Sequence, residues 1–444
     1  MSLFAFYFRF TFAFCFIFCT VIATADVDLS VKENRLADLS EAVGKTFRFS
    51  TDGKHIAFAT HLISMTTGSM SSTGHGKAEQ QDIWTIVKDG ISSPTYDNIG
   101  SAVFSKDCNH MAYNAKKGNK WFVVVDGKPG PSYDSIDVPV FSADSKHIAY
   151  AARKGDKCFV VVDTKHGQIY KDVSTPVFSM NNQHMAYGVK IEDKWLVIKD
   201  GKPGSDYDYV ASCVFSPDSM HLAYVAKKGN KWLLVEDGKQ GHPTYDDIDL
   251  PVYSPDSNHL AYGAQKGDKW LVVEDGKPGL AYDGIAPLIF SPDSMHLAYS
   301  AQKGDKWLVV EDGKPGPAYE PVGSPVFSPD SKHIAYDAKQ GDKYFVIADG
   351  NPGLSYDAID NPVFSMDSKH MAYYAKQGDK WFVVVDGKLC PESYDGFIIG
   401  SRIIFESPSS LFTFAIRNKS LYRVNLTITA ASHKWYKFQE HNRG

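Results

Sequence analysis

Histidine is the residue whose spacing in this sequence most invites a chemical interpretation. It recurs directly before an apolar–Ala–Tyr triplet, as His110, His147, His184, His221, His259, His296, His333 and His370. Imidazoles titrate near neutral pH and ligate metals, so a ring of them would suit a metal site or a pH sensor. Neighbouring repeat units are almost identical, however, and duplication copies every residue. Separate units would also hold the rings too far apart to share a metal, whose bonds to nitrogen are about 2.0–2.1 Å. We therefore expect a structural or neutral role.

Aspartate and lysine form the second recurrent group, and both fall in turns. The stretch 124–134, VVDGKPGPSYD, contains two aspartates, but no unit has the D-x-D-x-D-G spacing of a calcium loop. Asp-Gly turns account for most of them. Lysine beside aspartate recurs as KGDK and would give one face a mixed-charge rim, for which solvation is the first interpretation and docking the second. The possible partner contacts are Lys266, Asp268, Lys303, Asp305 and His75.

Catalytic signatures are absent from the sequence. There is no GxSxG elbow, no P-loop, no HExxH and no GxGxxG after a strand. No pair of carboxylates stands out for glycoside hydrolysis. We predict no catalytic, cofactor-binding or metal site.

These residues are positioned by a repeat of 37 or 38 residues, which follows a longer first interval. The repeat is marked by an aromatic residue before serine: Phe49, Phe104, Phe141, Phe178, Phe215, Tyr253, Phe290, Phe327 and Phe364. Such a period indicates a solenoid, a propeller or an array. Helical repeats are excluded, because each unit is rich in Gly, Pro and Asp-Gly and has no 3.6-residue apolar pattern.

One unit, residues 324–360, divides into four predicted strands: PVFS, HIAYDAK, KYFVIAD and a fourth around LSYDAID. In the equivalent third strand WFVVV, polar and apolar residues do not alternate, so both faces must be buried. A propeller blade between two neighbours has this property, and four antiparallel strands in about 40 residues make one blade.

The number of units predicts how the ring closes. Nine units are complete, and a tenth begins at RIIFESPSSLFTFAIRNKSLYRVNLTI with three strands. Residues 27–43 are placed to supply its outer strand, which would leave no open edge. We predict an all-β fold: a single large β-propeller of nine or ten four-stranded blades, closed by pairing of N- and C-terminal strands. Two smaller rings are the alternative.

The segments outside the repeats define the domain boundaries. Residues 1–25 have the form of a signal peptide ending in A-x-A, with an uncleaved anchor as the alternative. Residues 26–45 are an N-terminal segment, residues 46–425 the propeller and residues 426–444 a tail. The insertion at 64–81, rich in Ser, Thr and Gly, is predicted to be a mobile loop. Four cysteines follow the leader, and their spacing predicts no particular disulfide.

The string FSPDSKHIAY at 327–336, with FSPDSMHLAY at 215–224 and 290–299, resembles the PD40 type of WD40-like repeat. That repeat occurs in the propellers of TolB-like and dipeptidyl-peptidase-like proteins. The resemblance covers residues 46–425 and implies a propeller fold and an envelope partner, such as a peptide segment entering the channel. The family pattern has Gly where most units here have Ser.

Charge and repeat identity limit the functions. The formal net charge is −5 with no charge blocks, which disfavours nucleic acid. We expect a secreted or periplasmic, monomeric protein that does not span the membrane after cleavage and binds a protein, peptide or glycan. The alternatives are a hydrolase or lyase with a site at the channel mouth, and a structural surface repeat protein.

Overall fold

A computed structural model describes residues 28–38, 47–50, 52, 54–66, 79–398 and 401–429. These ranges contain 45 β-strands in ten antiparallel sheets and no α-helix. They also include no helix long and apolar enough to cross a membrane. The predicted signal peptide, residues 1–25, lies outside the described residues.

The sheets follow one another along the chain, and each is one blade. The first strand is β1 (Leu29–Asp38). Blades 1 to 3 are β2 (Phe47–Phe49), β3 (Ile56–Thr66), β4 (Glu79–Lys88) and β5 (Ile91–Ser92); β6 (Asn98–Phe104), β7 (Met111–Lys117), β8 (Lys120–Val125) and β9 (Lys128–Tyr133); and β10 (Ser135–Ile136), β11 (Val140–Phe141), β12 (Ile148–Lys154), β13 (Lys157–Val162) and β14 (Lys165–His166). Blades 4 to 6 are β15 (Asp172–Val173), β16 (Val177–Phe178), β17 (Met185–Ile191), β18 (Lys194–Lys199) and β19 (Lys202–Tyr207); β20 (Tyr209–Phe215), β21 (Leu222–Lys228), β22 (Lys231–Glu236) and β23 (Lys239–Gln240); and β24 (Asp247–Ile248), β25 (Val252–Tyr253), β26 (Leu260–Lys266), β27 (Lys269–Glu274) and β28 (Lys277–Tyr282).

The remaining blades repeat this order. Blades 7 to 9 are β29 (Gly284–Ile285), β30 (Ile289–Phe290), β31 (Leu297–Lys303), β32 (Lys306–Glu311) and β33 (Lys314–Tyr319); β34 (Val326–Phe327), β35 (Ile334–Gln340), β36 (Lys343–Ala348) and β37 (Asn351–Tyr356); and β38 (Ala358–Phe364), β39 (Met371–Gln377), β40 (Lys380–Val385) and β41 (Lys388–Leu389). Blade 10 is β42 (Gly396–Phe397), β43 (Ile404–Ser407), β44 (Ser410–Arg417) and β45 (Ser420–Ile428), to which β1 is added. Where two short strands precede the long central strand, both pair with it and together they form the first strand of the blade.

Blade 8 shows how local sequence builds a unit. The dipeptide Asp349-Gly350 joins β36 to β37 with φ values of 49° and 76°, as a tight hairpin of primed type requires. The fourth strand is exposed over most of its length and forms the outer edge of the blade. Proline is tolerated on that edge because no further strand needs its missing N–H.

The predicted limits of the fourth strand need correction. The sequence interpretation extended this strand through Asp360, but β37 ends at Tyr356. Residues from Asp357 onward pair with the central strand of the next blade, since Asp357 N donates to Lys376 O. The chain therefore crosses from one blade to the next between Tyr356 and Asp357.

Apolar clusters between neighbouring blades form the core. Each of the ten interfaces among the described blades contains such a cluster. Between blades 5 and 6 it includes Val225, Tyr245 and Tyr262, all at most 4% exposed. Burying a large side chain of this kind contributes roughly 1.5–3 kcal/mol, so the core is distributed around the ring.

The ring closes through the termini, as the sequence predicts. Strand β1 pairs antiparallel with β45, from Leu29 opposite Ile428 to Asp38 opposite Ser420. Blade 10 then packs on blade 1, where the rings of Phe49 and Phe414 stack at 5.0 Å. The protein is a single ten-bladed propeller, so the alternative of two smaller rings is wrong.

The insertion in blade 1 differs in part from its prediction as a loop. Its ends continue β3 and β4, with Ser64 opposite Gln81 and Thr66 opposite Glu79. The hydrogen-bonded register of β3 and β4 continues into the insertion, so its end residues extend the two strands instead of forming a loop. Residues 67–78, including the candidate contact His75, lie outside the described part of the chain.

Candidate functional site

The antiparallel blades present two different sets of turns. The turns between first and second strands and between third and fourth strands share one end, which we call the histidine face; in blade 6 they are residues 254–259 and 275–276. The turns between second and third strands lie at the other end, which we call the lysine face; in blade 6 this turn is residues 266–269.

Each recurring histidine joins the two turns of its own blade. In blade 6, His259 Nδ1 lies 2.8 Å from Asp275 Oδ2, while Asp275 Oδ1 accepts from Leu260 N at 3.0 Å. The same pair occurs in blades 1 to 9 at 2.6–2.8 Å. The hydrogen bond to Asp275 raises the pKa of His259. This bond occupies Nδ1 and fixes the Asp-Gly turn, so each histidine makes a structural contact within its blade.

Serine links the turns of neighbouring blades. Ser257 Oγ accepts from Asp218 N of the preceding blade at 2.9 Å, and Ser294 Oγ accepts from Asp256 N at 3.0 Å. Both serines have positive φ, 69° and 66°, a region that favours glycine. Glycine would fit this backbone but would lack the bridging hydroxyl.

The lysine face carries four of the five residues singled out from the sequence. Lys266 and Asp268 are exposed in the turn of blade 6, and Lys303 and Asp305 occupy the same turn of blade 7. The structure therefore brings the two pairs onto one rim, although it does not test a partner role. On this face Asp283 accepts from Gly304 N of the next blade and pairs with Lys269. Much of the rim charge is neutralised by such pairs.

Metal chemistry finds no support in the described residues. They contain no group of three or more His, Cys, Asp or Glu side chains able to hold a metal ion. Cys108, Cys158, Cys213 and Cys390 are buried thiols. Burial raises the pKa of the Cys213 thiol to about 12, which makes it a poor nucleophile.

A pocket of about 470 Å³ opens between blades 5 and 6 at the histidine face. It is lined by Leu234, Glu236, Lys239, Gln240, Gly241, His242, Tyr253, Ser257, Asn258, His259, Leu260, Tyr262, Asp275 and Gly276. The outer strand of blade 5, β23, is only two residues long, whereas β28 of blade 6 has six. The outer strand is equally short in blades 1, 3 and 9, so this interface is distinguished by its 38-residue interval and by Tyr253.

Two hydrogen bonds organise the pocket wall. Tyr253 stands where most other blades carry phenylalanine, and its hydroxyl donates to Glu236 Oε1 at 2.9 Å. Burial and the Glu236 carboxylate raise the pKa of Tyr253, which keeps the phenol neutral. The second bond is the pair of His259 and Asp275. With these groups engaged, the pocket presents amide, carboxylate and aromatic surface suited to binding a side chain or sugar-sized group.

Sequence reasoning missed this pocket, although two signals were present. The interval from Phe215 to Tyr253 is 38 residues rather than 37, and tyrosine replaces phenylalanine at its end. Both mark the same interface between blades.

The chain forms a ten-bladed β-propeller, and the pocket lies at the interface that contains the additional residue and Tyr253. No protein-family model and no curated protein matches the chain. Among solved structures it is similar to the Dos1 propeller, with 11% identity over 74% of this chain and 92% of that one, at a TM-score of 0.35.

Another similar structure is the propeller of the trilobed protease from Pyrococcus furiosus, with 12% identity, 62% and 95% coverage and a TM-score of 0.33. A third is the dihydro-heme d1 dehydrogenase NirN, with 12% identity, 67% and 79% coverage and a TM-score of 0.33. The fold class of this chain rests on its own sheet topology.

Proposed function

We propose that this protein is a non-catalytic binding propeller, secreted or periplasmic, that holds a protein, peptide or glycan partner at the pocket between blades 5 and 6. The observation that carries the proposal is the pocket itself. Most blades have similar turns, so a cavity at the interface with the additional residue and Tyr253 marks a place for a specific contact.

The chemistry of the pocket supports binding rather than catalysis. The Tyr253 hydroxyl donates to Glu236 and its pKa is raised, so the phenol is not presented as a nucleophile, and the bond to Asp275 fixes the orientation of the His259 ring. The A-x-A leader and the PD40-like strings support the extracytoplasmic, TolB-like part of the proposal.

Matched variants on one turn position test the proposal. Asn258 is exposed at the pocket, and Lys332 occupies the same turn position in blade 8. Purified wild type, Asn258→Trp and Lys332→Trp are immobilised and exposed to envelope and extracellular fractions of the source. Retained proteins and glycans are then identified by mass spectrometry.

We expect one partner to be retained by wild type and by Lys332→Trp, and lost with Asn258→Trp, because only the latter indole blocks the pocket. Identical capture by all three proteins would contradict the proposal and would favour a structural repeat protein.

A further inference from the structure

Charge is unevenly distributed around the histidine face. At the last residue of the third strand, blades 5, 6 and 7 carry Glu236, Glu274 and Glu311. Blades 2, 3 and 9 carry valine at this position, at 125, 162 and 385. We call the histidine face of blades 5 to 7 the acidic sector. The three glutamates are half-buried, so their charges are not fully screened. Each lies opposite a lysine of the fourth strand, but so do the valines of blades 2, 3 and 9, and the glutamates therefore add negative charge to this sector.

A second turn position changes in the same three blades. After the Pro-Asp-Ser turn they carry Met220, Asn258 and Met295, where blades 3, 8 and 9 carry lysine at 146, 332 and 369. The two methionines are 67% and 74% exposed. Blades 2 and 4 carry Asn109 and Gln183 at this position. The acidic sector is therefore distinguished by its two flexible apolar side chains, which adapt to irregular partner surfaces.

The three blades form one continuous surface. Asp218 N donates to Ser257 Oγ in blade 6, and Asp256 N donates to Ser294 Oγ, the residue before Met295. Burial and the carboxylates of Asp275 and Asp312 raise the pKa of Glu274, whereas His259 and Lys277 oppose this shift, so the charge of Asp312 in blade 7 acts on blade 6. Asn258 in the central turn lines the pocket, which thus lies within the acidic sector.

From this charge and shape we infer that the occupant is a basic peptide segment of a partner protein, with an aliphatic or aromatic residue beside its lysines or arginines. This inference rests on the proposed function. The glutamates supply charge complementarity, the pocket takes one side chain, and Met220 and Met295 contact the apolar residue. An acidic peptide would meet like charges here and is disfavoured.

The test measures the binding of labelled peptides by fluorescence anisotropy at low and moderate salt. One labelled probe contains six lysines flanking Leu-Phe, and a second has glutamate in place of each lysine. The sector variant combines Glu236→Val, Tyr253→Phe, Glu274→Val and Glu311→Val. Each substitution introduces a residue that other blades already carry, and Tyr253→Phe avoids an unpaired hydroxyl. The control variant, Asp268→Asn with Asp305→Asn and Asp342→Asn, removes three charges from the lysine face instead.

We expect the lysine peptide to bind wild type and the control variant, and to bind the sector variant at least about tenfold more weakly at low salt. Equal affinity for the sector variant, or preferential binding of the glutamate peptide, would overturn the inference. Neither peptide binding, while Asn258→Trp still abolishes capture of a partner, would refute the basic-peptide inference and leave the proposed function standing. Thermal melting of all variants confirms that they are folded.

Discussion

At the scale of single residues, the repeated histidine connects two turns of its blade through a hydrogen bond to aspartate. Exposed pairs of this kind contribute little to stability, but the pair in blade 9 is different. The side chains of His370 and Asp386 are only 9% and 2% exposed, compared with 51% and 41% for His147 and Asp163. The hydrogen bond to Asp386 raises the pKa of His370; burial and Lys369 oppose this shift, and Asp367 supports it.

This pair predicts a pH dependence of stability. Because the pKa of His370 is higher in the folded chain, its protonated form stabilises the fold below the unfolded pKa of about 6.5. That contribution is lost as pH rises through the folded pKa. We expect His370→Gln to lower the free energy of unfolding by about 1.5–3 kcal/mol near pH 5.5 and by less near pH 8.5.

Urea denaturation at the two pH values measures this difference, and His147→Gln in the exposed pair serves as the control with a cost under about 1 kcal/mol. A pH-independent cost for His370→Gln would show that the pair is not a charged one.

A second residue-scale prediction concerns Cys158, which occupies the position of Trp232 and Trp195 in other blades. A cavity of about 80 Å³ lies beside it, with Arg153 in its wall. In blade 5 the corresponding Lys227 lies over the Trp232 ring at 5.4 Å. We expect Cys158→Trp to raise the free energy of unfolding by about 1 kcal/mol, because the ring fills space and meets the guanidinium.

The reciprocal substitution Trp195→Cys should cost about 2–3 kcal/mol by leaving a new cavity. Urea denaturation of both variants measures these changes in stability relative to wild type. A loss of stability in Cys158→Trp would mean that blade 3 has repacked around the small residue.

At the scale of elements, the sequence predicts strands correctly where recognisable turn residues separate them. Asp-Gly dipeptides and the unalternating third strands give the hairpins and the burial correctly. The predicted end of the fourth strand was wrong, because Tyr-Asp was assigned as a pair to one strand. Tyr356 ends β37 of blade 8, whereas Asp357 pairs with the central strand of blade 9. Asp357 pairs with Lys343 behind it and with Gly378 N ahead of it. Such contacts between blades do not show in a pattern taken one repeat at a time.

The closing strand β1 supplies the element-scale prediction. Glu33 Oε1 accepts from the buried hydroxyl of Tyr394 at 2.7 Å, and its other oxygen pairs with Arg417. Glu33→Ala would leave the Tyr394 hydroxyl without its acceptor and Arg417 with Glu392 as its remaining carboxylate, so we expect a loss of about 2–3 kcal/mol.

Lys32→Ala changes the neighbouring exposed residue on the same strand and should stay within about 0.5 kcal/mol. Differential denaturation compares the two variants. If they lose equal stability, β1 does not fasten the ring through Glu33.

At the scale of the whole molecule, nine blades share one repeat, so equivalent positions can be compared from blade to blade. The architecture of the ring was predictable because the same pattern occurs nine times. The candidate site was not, because it depends on differences among repeats: one extra residue, one tyrosine and three glutamates. These differences define a candidate site because adjacent blades place them on one surface, which the sequence of a single repeat does not show.

The most direct test of this account is hydrogen exchange of the backbone amides, measured by mass spectrometry with and without the lysine peptide. We predict slower exchange at residues 237–245 and 254–259 in the acidic sector, and unchanged exchange at the equivalent residues 142–147 and 163–170 of blade 3. Equal slowing at both sets of turns, or slowing confined to the lysine face at 266–269, would contradict the assignment of the binding site to blades 5 to 7.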